Sequence, residues 1–230
     1  MVHVPSIYDA LHIPVEIQSL ALASLVVLLI AALVRSGLRS ATEGGVIPEE
    51  RISLRNVLEL LLEGVVSLAR GTIGDHWARY MPLLGTLGFF ILVSNLMGLL
   101  PGFGGPTSFL ETNLAWALVS FGVSEVVGAI EHGPVNYLKH FMSGPWWISW
   151  FIMLVEIFSH LVRVVSLTIR LTANMFADHT LLSIALTLPV VSWFLPWAVL
   201  GLGVFVAVVQ AFIFTFLTMM YIGLALEHAH

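Results

Sequence analysis

One apolar stretch of the sequence carries polar and ionisable side chains at helical spacing. At about 100° per residue, their positions fall within a sector about 80° wide, so a single helix face would hold them all. An ionised side chain at the depth of a bilayer costs at least about 2.5 kcal/mol, so this face must contact protein or water rather than lipid. The pattern therefore predicts an ion pathway. Its members are Glu156, His160, Arg163, Arg170, Asn174 and Asp178.

A second interpretation of this face is a buried ion-pair network that only fixes helix packing. In that case Glu156 and Asp178 would neutralise Arg163 and Arg170. We favour the pathway, because apolar helix bundles pack without such charges.

The composition excludes a soluble globular protein. Hydrophobic residues make up 58% of the 230 residues and charged residues only 10%, with a mean hydropathy of +0.97, whereas soluble domains carry about 25% charged residues. The net charge is −5 and no basic block is present, so no nucleic-acid partner is expected. No cofactor is expected, since the chain has no cysteine and its terminal pair His228 and His230 supplies only two metal ligands.

The pattern of apolar residues predicts an all-α integral membrane protein that forms a single membrane domain over residues 1–230. It has about five transmembrane helices and one interfacial amphipathic helix. The predicted elements are span 1 (17–35), the interfacial helix (53–70), span 2 (80–100), span 3 (113–131), and two long helices (146–188 and 196–226).

The last two helices are longer than a bilayer requires. Residues 146–188 contain no proline or glycine, and a helix of that length spans roughly 65 Å, whereas the hydrocarbon core is about 30 Å thick. We expect a steeply tilted helix, with Pro189 and Pro196 marking the turn to an antiparallel partner. Two ordinary spans with interfacial extensions are the alternative.

The basic residues predict the orientation, because cytoplasmic loops are rich in Lys and Arg. Six arginines flank the loop between spans 1 and 2, and Lys139 follows span 3. The N-terminus is then outside and the C-terminus cytoplasmic. The arginines are Arg35, Arg39, Arg51, Arg55, Arg70 and Arg79.

Four segments carry longer motifs. They are Arg79-Tyr80-x-Pro82-Leu83-x-x-Thr86-Leu87, Asn95-Leu96-x-Gly98-Leu99-x-Pro101-Gly102, Glu156-x-x-Ser159-x-x-x-Arg163-x-x-Ser166-Leu167-x-x-Arg170-Leu171-x-x-Asn174-Met175-x-Ala177, and Gln210-Ala211-Phe212-Ile213-Phe214. Together they resemble the signature of subunit a of the F-type ATP synthases, the membrane stator subunit of the Fo sector. The resemblance covers about Pro48 to the end of the chain.

This resemblance implies a non-catalytic subunit that couples the flow of H⁺ or Na⁺ to ATP synthesis. It implies a rotating ring of c subunits, a peripheral stalk of b subunits, the F1 sector indirectly, and the lipid of a bacterial inner membrane as partners. Arg170 would be the stator charge that meets each ring carboxylate. A guanidinium stays protonated, so it holds a carboxylate ionised without carrying the proton itself.

The resemblance also implies two half-channels on either side of Arg170. Glu156 and His160 would face the cytoplasmic side, with Arg163 nearer that interface. The outer side would hold Asn174, Asp178 and His179. Gln210 on the last helix would lie near Arg170.

The sequence leaves open the roles of two acids, Asp178 and Glu125. At Gly203, many relatives carry an ionisable group that works with the residue at the position of His179, and Asp178 is a candidate to replace that group. Glu125, in span 3, either lines the outer half-channel or serves packing through hydrogen bonds.

Two other functions are weighed against this one. A self-contained proton-coupled secondary transporter would show internal repeats and interrupted helices near the midplane, and the two halves of the sequence show no self-similarity. A membrane hydrolase would need a nucleophile and base, and no such pair is evident.

Overall fold

The computed structural model describes residues 14–40, 54–100, 104–133, 146–187 and 193–227. Every regular element in these ranges is helical, so the protein is all-α there. The α-helices are α1 (Val15–Ser40), α2 (Leu54–Ile73), α3 (Trp77–Gly98), α4 (Leu110–His132), α5 (Trp146–Thr187) and α6 (Leu195–Glu227). Short 3₁₀ turns at Gly74–His76 and Pro106–Ser108 precede α3 and α4.

Length and apolarity mark the chain as a multi-pass membrane protein. Within the described ranges, four helical stretches are long and apolar enough to cross a bilayer, and α1 holds a shorter apolar helix, Glu16–Ala32. The four stretches are Glu63–Gly98, Leu110–His132, Trp147–Thr187 and Leu195–Leu226.

A sharp break separates α2 from α3. Gly74 has a φ of +69°, a backbone conformation that favours glycine. The Arg70 guanidinium lies 4.5 Å from the ring centroid of Trp77 and bridges the break. Ala69 and Ile73 are buried in a cluster with side chains of α3, α4 and α6. The amphipathic helix expected over 53–70 is thus packed at its C-terminal end, and its placement on the membrane surface stays a prediction.

Helices α5 and α6 form an antiparallel pair. Arg163 on α5 lies over Tyr221 on α6, and Asn174, further along α5, contacts Gln210, which comes earlier in α6. Residue numbers therefore rise along α5 while they fall along the adjacent α6. Helix α5 spans 42 residues, about 63 Å at the standard rise. Its tilt in a bilayer stays a prediction from this length.

The main core lies between α3, α4, α5 and α6. Much of the other surface of α5 and α6 is apolar and exposed, including Phe158, Phe176 and Phe205, as expected for a protein whose solvent is lipid or a membrane partner. The core side chains are Leu87, Ile91, Ala117, Val164, Leu167, Leu171, Ala211 and Phe214.

A close backbone approach holds the 3₁₀ turn before α4 against α3. A Cβ added at Gly105 would lie 2.6 Å from the carbonyl oxygen of Ser94 and 2.7 Å from Cα of Gly98. Only glycine permits this contact, and it places Thr107 and Ser108 beside the helices of the core.

Several expectations fall outside the described residues. They concern Arg51, Pro101, Gly102, Lys139, Leu188, Pro189, His228 and His230.

Candidate functional site

The polar face of α5 lies along the edge of the buried face of this helix. Leu167 and Leu171 are buried in the core, and Arg170 is turned from Leu171 by about 100°. Arg170 is accordingly half-buried, as are Arg163 and Asn174. The polar face thus lies at the boundary between the packed core and the exposed apolar surface of α5.

His160 connects α5 to α4. Its Nε2 lies 3.0 Å from Oε1 of Glu125, and its Nδ1 lies 2.8 Å from the backbone carbonyl oxygen of Glu156 and 3.7 Å from Oε1 of that residue. The ring of Phe121 meets the imidazole edge-on, with centroids 5.6 Å apart. We call Glu125, Glu156 and His160 the His160 cluster. Glu125 therefore joins the residues expected on the cytoplasmic side and not those at the other end of α5.

The two arginines of α5 have different surroundings. The guanidinium carbon of Arg163 lies 5.0 Å from the ring centroid of Tyr221 on α6, within range of a cation–π interaction. Across the described ranges, Arg170 forms no salt bridge, while the Glu156 carboxylate lies nearest the His160 imidazole. The packing network required each arginine to pair with Glu156 or Asp178, so the described contacts do not support it.

Gln210 on α6 lies one helical turn from the level of Arg170. Nδ2 of Asn174, four residues after Arg170, donates a hydrogen bond to Oε1 of Gln210 at 2.7 Å. Gln210 is 4% exposed, and its Nε2 is buried without a hydrogen-bond acceptor among the residues that the structure describes.

Asp178 and His179 lie toward the C-terminal end of α5. They line one small cavity together with Leu99, and Nε2 of His179 is 3.3 Å from Oγ of Ser108. A Cβ at Gly203 would lie 2.6 Å from Cδ2 of Leu99. Leu99 thus occupies the space that an ionisable side chain at position 203 would need.

Matches to known proteins decide the family. Residues 19–223 match the ATP synthase A chain family. The chain is 41% identical over 203 residues to ATP synthase subunit a 2 of Syntrophotalea carbinolica, covering 88% of this chain and 84% of that protein. It is 40% identical over 200 residues to ATP synthase subunit a of Desulfosudis oleivorans, covering 87% and 85%. For ATP synthase subunit a of Bdellovibrio bacteriovorus the identity is 38% over 219 residues, covering 95% and 94%. The chain belongs to the ATP synthase A chain family.

Membership in the ATP synthase A chain family confirms the resemblance seen in the motifs. It makes the chain a non-catalytic Fo membrane subunit, and the ATP chemistry takes place in the F1 sector. The subunit works in a complex with other ATP synthase subunits, in ATP synthesis and ion transport. A self-contained transporter or a membrane hydrolase is therefore set aside.

One buried polar junction of this ATP synthase A chain was missed by the sequence analysis. Nδ2 of Asn113 donates to the backbone carbonyl oxygen of Thr107 and to Oγ1 of Thr172, each at 2.8 Å. Asn113 is fully buried, and its Oδ1 has no donor within the described part of the chain. Its residues are uncharged and therefore drew no attention in the sequence. The signal that could have revealed the junction was a polar asparagine, Asn113, within an otherwise apolar helix.

The structure groups the expected residues of this ATP synthase A chain into three sets along α5. The His160 cluster lies nearest the start of the helix. The Arg170 set, with Asn174 and Gln210, lies in the middle. Asp178 and His179, with Ser108, lie toward the end. Among described residues, no three His, Cys, Asp or Glu side chains are arranged to hold a metal ion.

Proposed function

We propose that this chain is the ion-translocating stator subunit of a rotary ATP synthase. Arg170 meets the carboxylates of a rotating c ring, and two half-channels lead from it to the two sides of the membrane. The observation that carries the proposal is the state of Arg170: its guanidinium forms no salt bridge with any described residue.

A guanidinium at bilayer depth requires a counter-charge or water. Asn174, one helical turn from Arg170, donates its hydrogen bond to Oε1 of Gln210 on α6, and neither of these neutral groups supplies a counter-charge. A guanidinium is matched best by a carboxylate, which accepts two of its hydrogen bonds at once. A carboxylate of the c ring has this chemistry.

The charge on Arg170 explains how ions are prevented from crossing directly. Arginine cannot be deprotonated in proteins, so it stabilises an ionised ring carboxylate but passes no proton. A ring carboxylate therefore releases its ion before it reaches Arg170 and takes up another after passing it. The ion must travel with the ring, which couples flow to rotation.

The three sets of residues along α5 correspond to the two half-channels and the barrier between them. His160 lies about 15 Å along the helix axis on one side of Arg170, and Asp178 about 12 Å on the other. The loop arginines and Lys139 assign the His160 end to the cytoplasm. Because Glu125 contacts His160, we assign it to the cytoplasmic half-channel and not to the outer one.

The partners follow from this assignment. The exposed apolar surface of α5 and α6 faces the c ring and lipid, b subunits form the peripheral stalk, and F1 is reached indirectly. The membrane is a bacterial inner membrane, with the N-terminus outside and the C-terminus in the cytoplasm.

Substitution of Arg170 tests the proposal. In membrane vesicles with the assembled complex, we expect Arg170→Lys to abolish coupled ATP synthesis, because a buried lysine loses its proton readily. Arg170→Ala should abolish synthesis and also allow passive ion leak, because the barrier between the half-channels is gone.

Arg163 provides the matched control on the same helix. Arg163→Lys keeps a cation over Tyr221 and should retain most of the synthesis rate. Wild-type synthesis in Arg170→Lys, with normal assembly, would show that the assignment of Arg170 is wrong.

A further inference from the structure

The contact between Glu125 and His160 has a specific proton requirement. A backbone carbonyl only accepts hydrogen bonds, so Nδ1 of His160, 2.8 Å from the carbonyl oxygen of Glu156, must carry a proton. Nε2 then faces Oε1 of Glu125 at 3.0 Å. Without a proton between them, two lone pairs would meet.

Two arrangements satisfy this contact, and both hold the same proton. Either His160 is an imidazolium beside an ionised Glu125, or His160 is neutral and a protonated Glu125 donates to Nε2. The positions of the heavy atoms suit both. Glu125 and His160 thus bind one proton as a pair, and its location within the pair need not affect the packing of α4 on α5.

Exposure increases from the imidazole outward. The side chain of His160 is 13% exposed, that of Glu125 is 25% exposed and that of Glu156 is 38% exposed. Oε1 of Glu156 lies 3.7 Å from Nδ1 of His160, so a small rotamer change brings this more accessible carboxylate to the ring. Glu156 is therefore the most exposed member of the cluster.

We propose that Glu125 and His160 form one proton-binding unit of the cytoplasmic half-channel, with Glu156 as its exchange partner. The inference rests on the proposed function and adds the identity of the ion on this side, which is H⁺. When the pair releases a proton, the Nδ1–H bond of the imidazolium breaks and an O–H bond forms at Oε1 of Glu156, which then gives the proton to water; Nε2–H stays with the ionised Glu125. Uptake of a proton remakes the same bonds in the reverse order. Hard metal cations prefer several oxygen ligands, and the imidazole at the centre of this cluster supplies nitrogen.

The test measures passive proton conductance and ATP synthesis in inverted membrane vesicles that contain the complex, with F1 removed for the conductance measurement. We expect Glu125→Gln and His160→Gln each to lower both rates by about tenfold or more. Because the pair acts as a unit, the double variant should be no slower than either single variant. Glu131→Gln removes an exposed acid from the same helix, α4, and should leave both rates near wild type.

Chemical rescue separates proton carriage from a purely structural role. His160→Ala should regain conductance when imidazole is added, but not with pyrazole, a ring of the same size that is far less basic. Equal rescue by both rings would mean that His160 only fills space, and that outcome would overturn the proposal. Independent single-variant losses that multiply in the double variant would overturn it too, as would wild-type rates in both single variants.

Arg170→Lys in the same vesicles distinguishes this inference from the proposed function. Loss of synthesis in Arg170→Lys with wild-type rates in the Glu125 and His160 variants contradicts only the proton-binding unit. Normal synthesis in Arg170→Lys contradicts the stator assignment itself.

Discussion

At the residue scale, Arg163 and Arg170 lie seven positions apart on one helix but have different surroundings. Arg163 has an aromatic partner, Tyr221, within the chain, and its charge is stabilised whatever else binds. Arg170 has no acidic partner among the described residues, and in the proposed function a ring carboxylate supplies its counter-charge. A side chain whose counter-charge lies on another molecule is suited to sense that molecule.

Asp178 is the carboxylate to test at the outer end of α5. Asp178→Asn keeps the side-chain volume but cannot exchange a proton, so we expect ion-driven ATP synthesis to fall about tenfold or more with the complex still assembled. Synthesis rates in vesicles and the amount of assembled complex are the measurements. Glu111→Gln, an exposed acid in the first turn of α4, is the control and should change neither. An unchanged rate in Asp178→Asn would leave His179 as the better candidate for outer access.

At the element scale, local signals predicted the helices better than the contacts between them. The absence of proline and glycine in 146–187 indicated one long helix there, and α5 is continuous over Trp146–Thr187. The pairing of Glu125 with His160 was not predictable, because it depends on the register of α4 against α5, which periodicity within one helix does not contain. The same register brings Asn113 to Thr172.

The turn before α4 was also beyond prediction, since the importance of Gly105 lies in its neighbours and not in its own sequence context. Its Cα is in contact with α3, and this contact fixes where Ser108 meets His179. Nothing in the string Gly-Gly-Pro indicates which helix the turn will touch.

We expect Gly105→Ala to destabilise the protein by about 1–3 kcal/mol, because the added Cβ would overlap the backbone of α3 and force the turn away. Gly122→Ala, within α4, is the matched control: nothing lies within 4 Å of its Cβ position, and alanine favours the helix by about 0.5–1 kcal/mol over glycine. Thermal unfolding of the purified protein in detergent measures both. A melting temperature for Gly105→Ala at or above that of wild type would contradict the close approach.

At the scale of the whole molecule, the topology connects the three sets of residues to the two sides of the membrane. Helices α4 and α5 are antiparallel, since Asn113 near the start of α4 meets Thr172 and Glu125 near its end meets His160. The side on which α4 begins therefore also receives the end of α5. One topological measurement on α4 consequently orients both of the proposed half-channels.

The chain contains no cysteine, so single introduced cysteines report on the topology without background. With a membrane-impermeant thiol reagent, we expect Glu111→Cys to be labelled from outside and Glu131→Cys from the cytoplasmic side, as the loop charges require. Intact cells and inverted vesicles provide the two orientations. The opposite pattern would exchange the two half-channels and place the His160 cluster on the outer side.

Under the proposed function, helix α5 must also resist the sideways force of a turning ring at Arg170. The helix is packed most tightly beside Arg170, because the neighbouring core residues Leu167 and Leu171 are only 1% and 0% exposed. Such a force would act where α5 is packed into the core, on a helix that contains no proline or glycine and so has no built-in kink. A sideways displacement of Arg170 would therefore have to disturb the core that α5 shares with α3, α4 and α6.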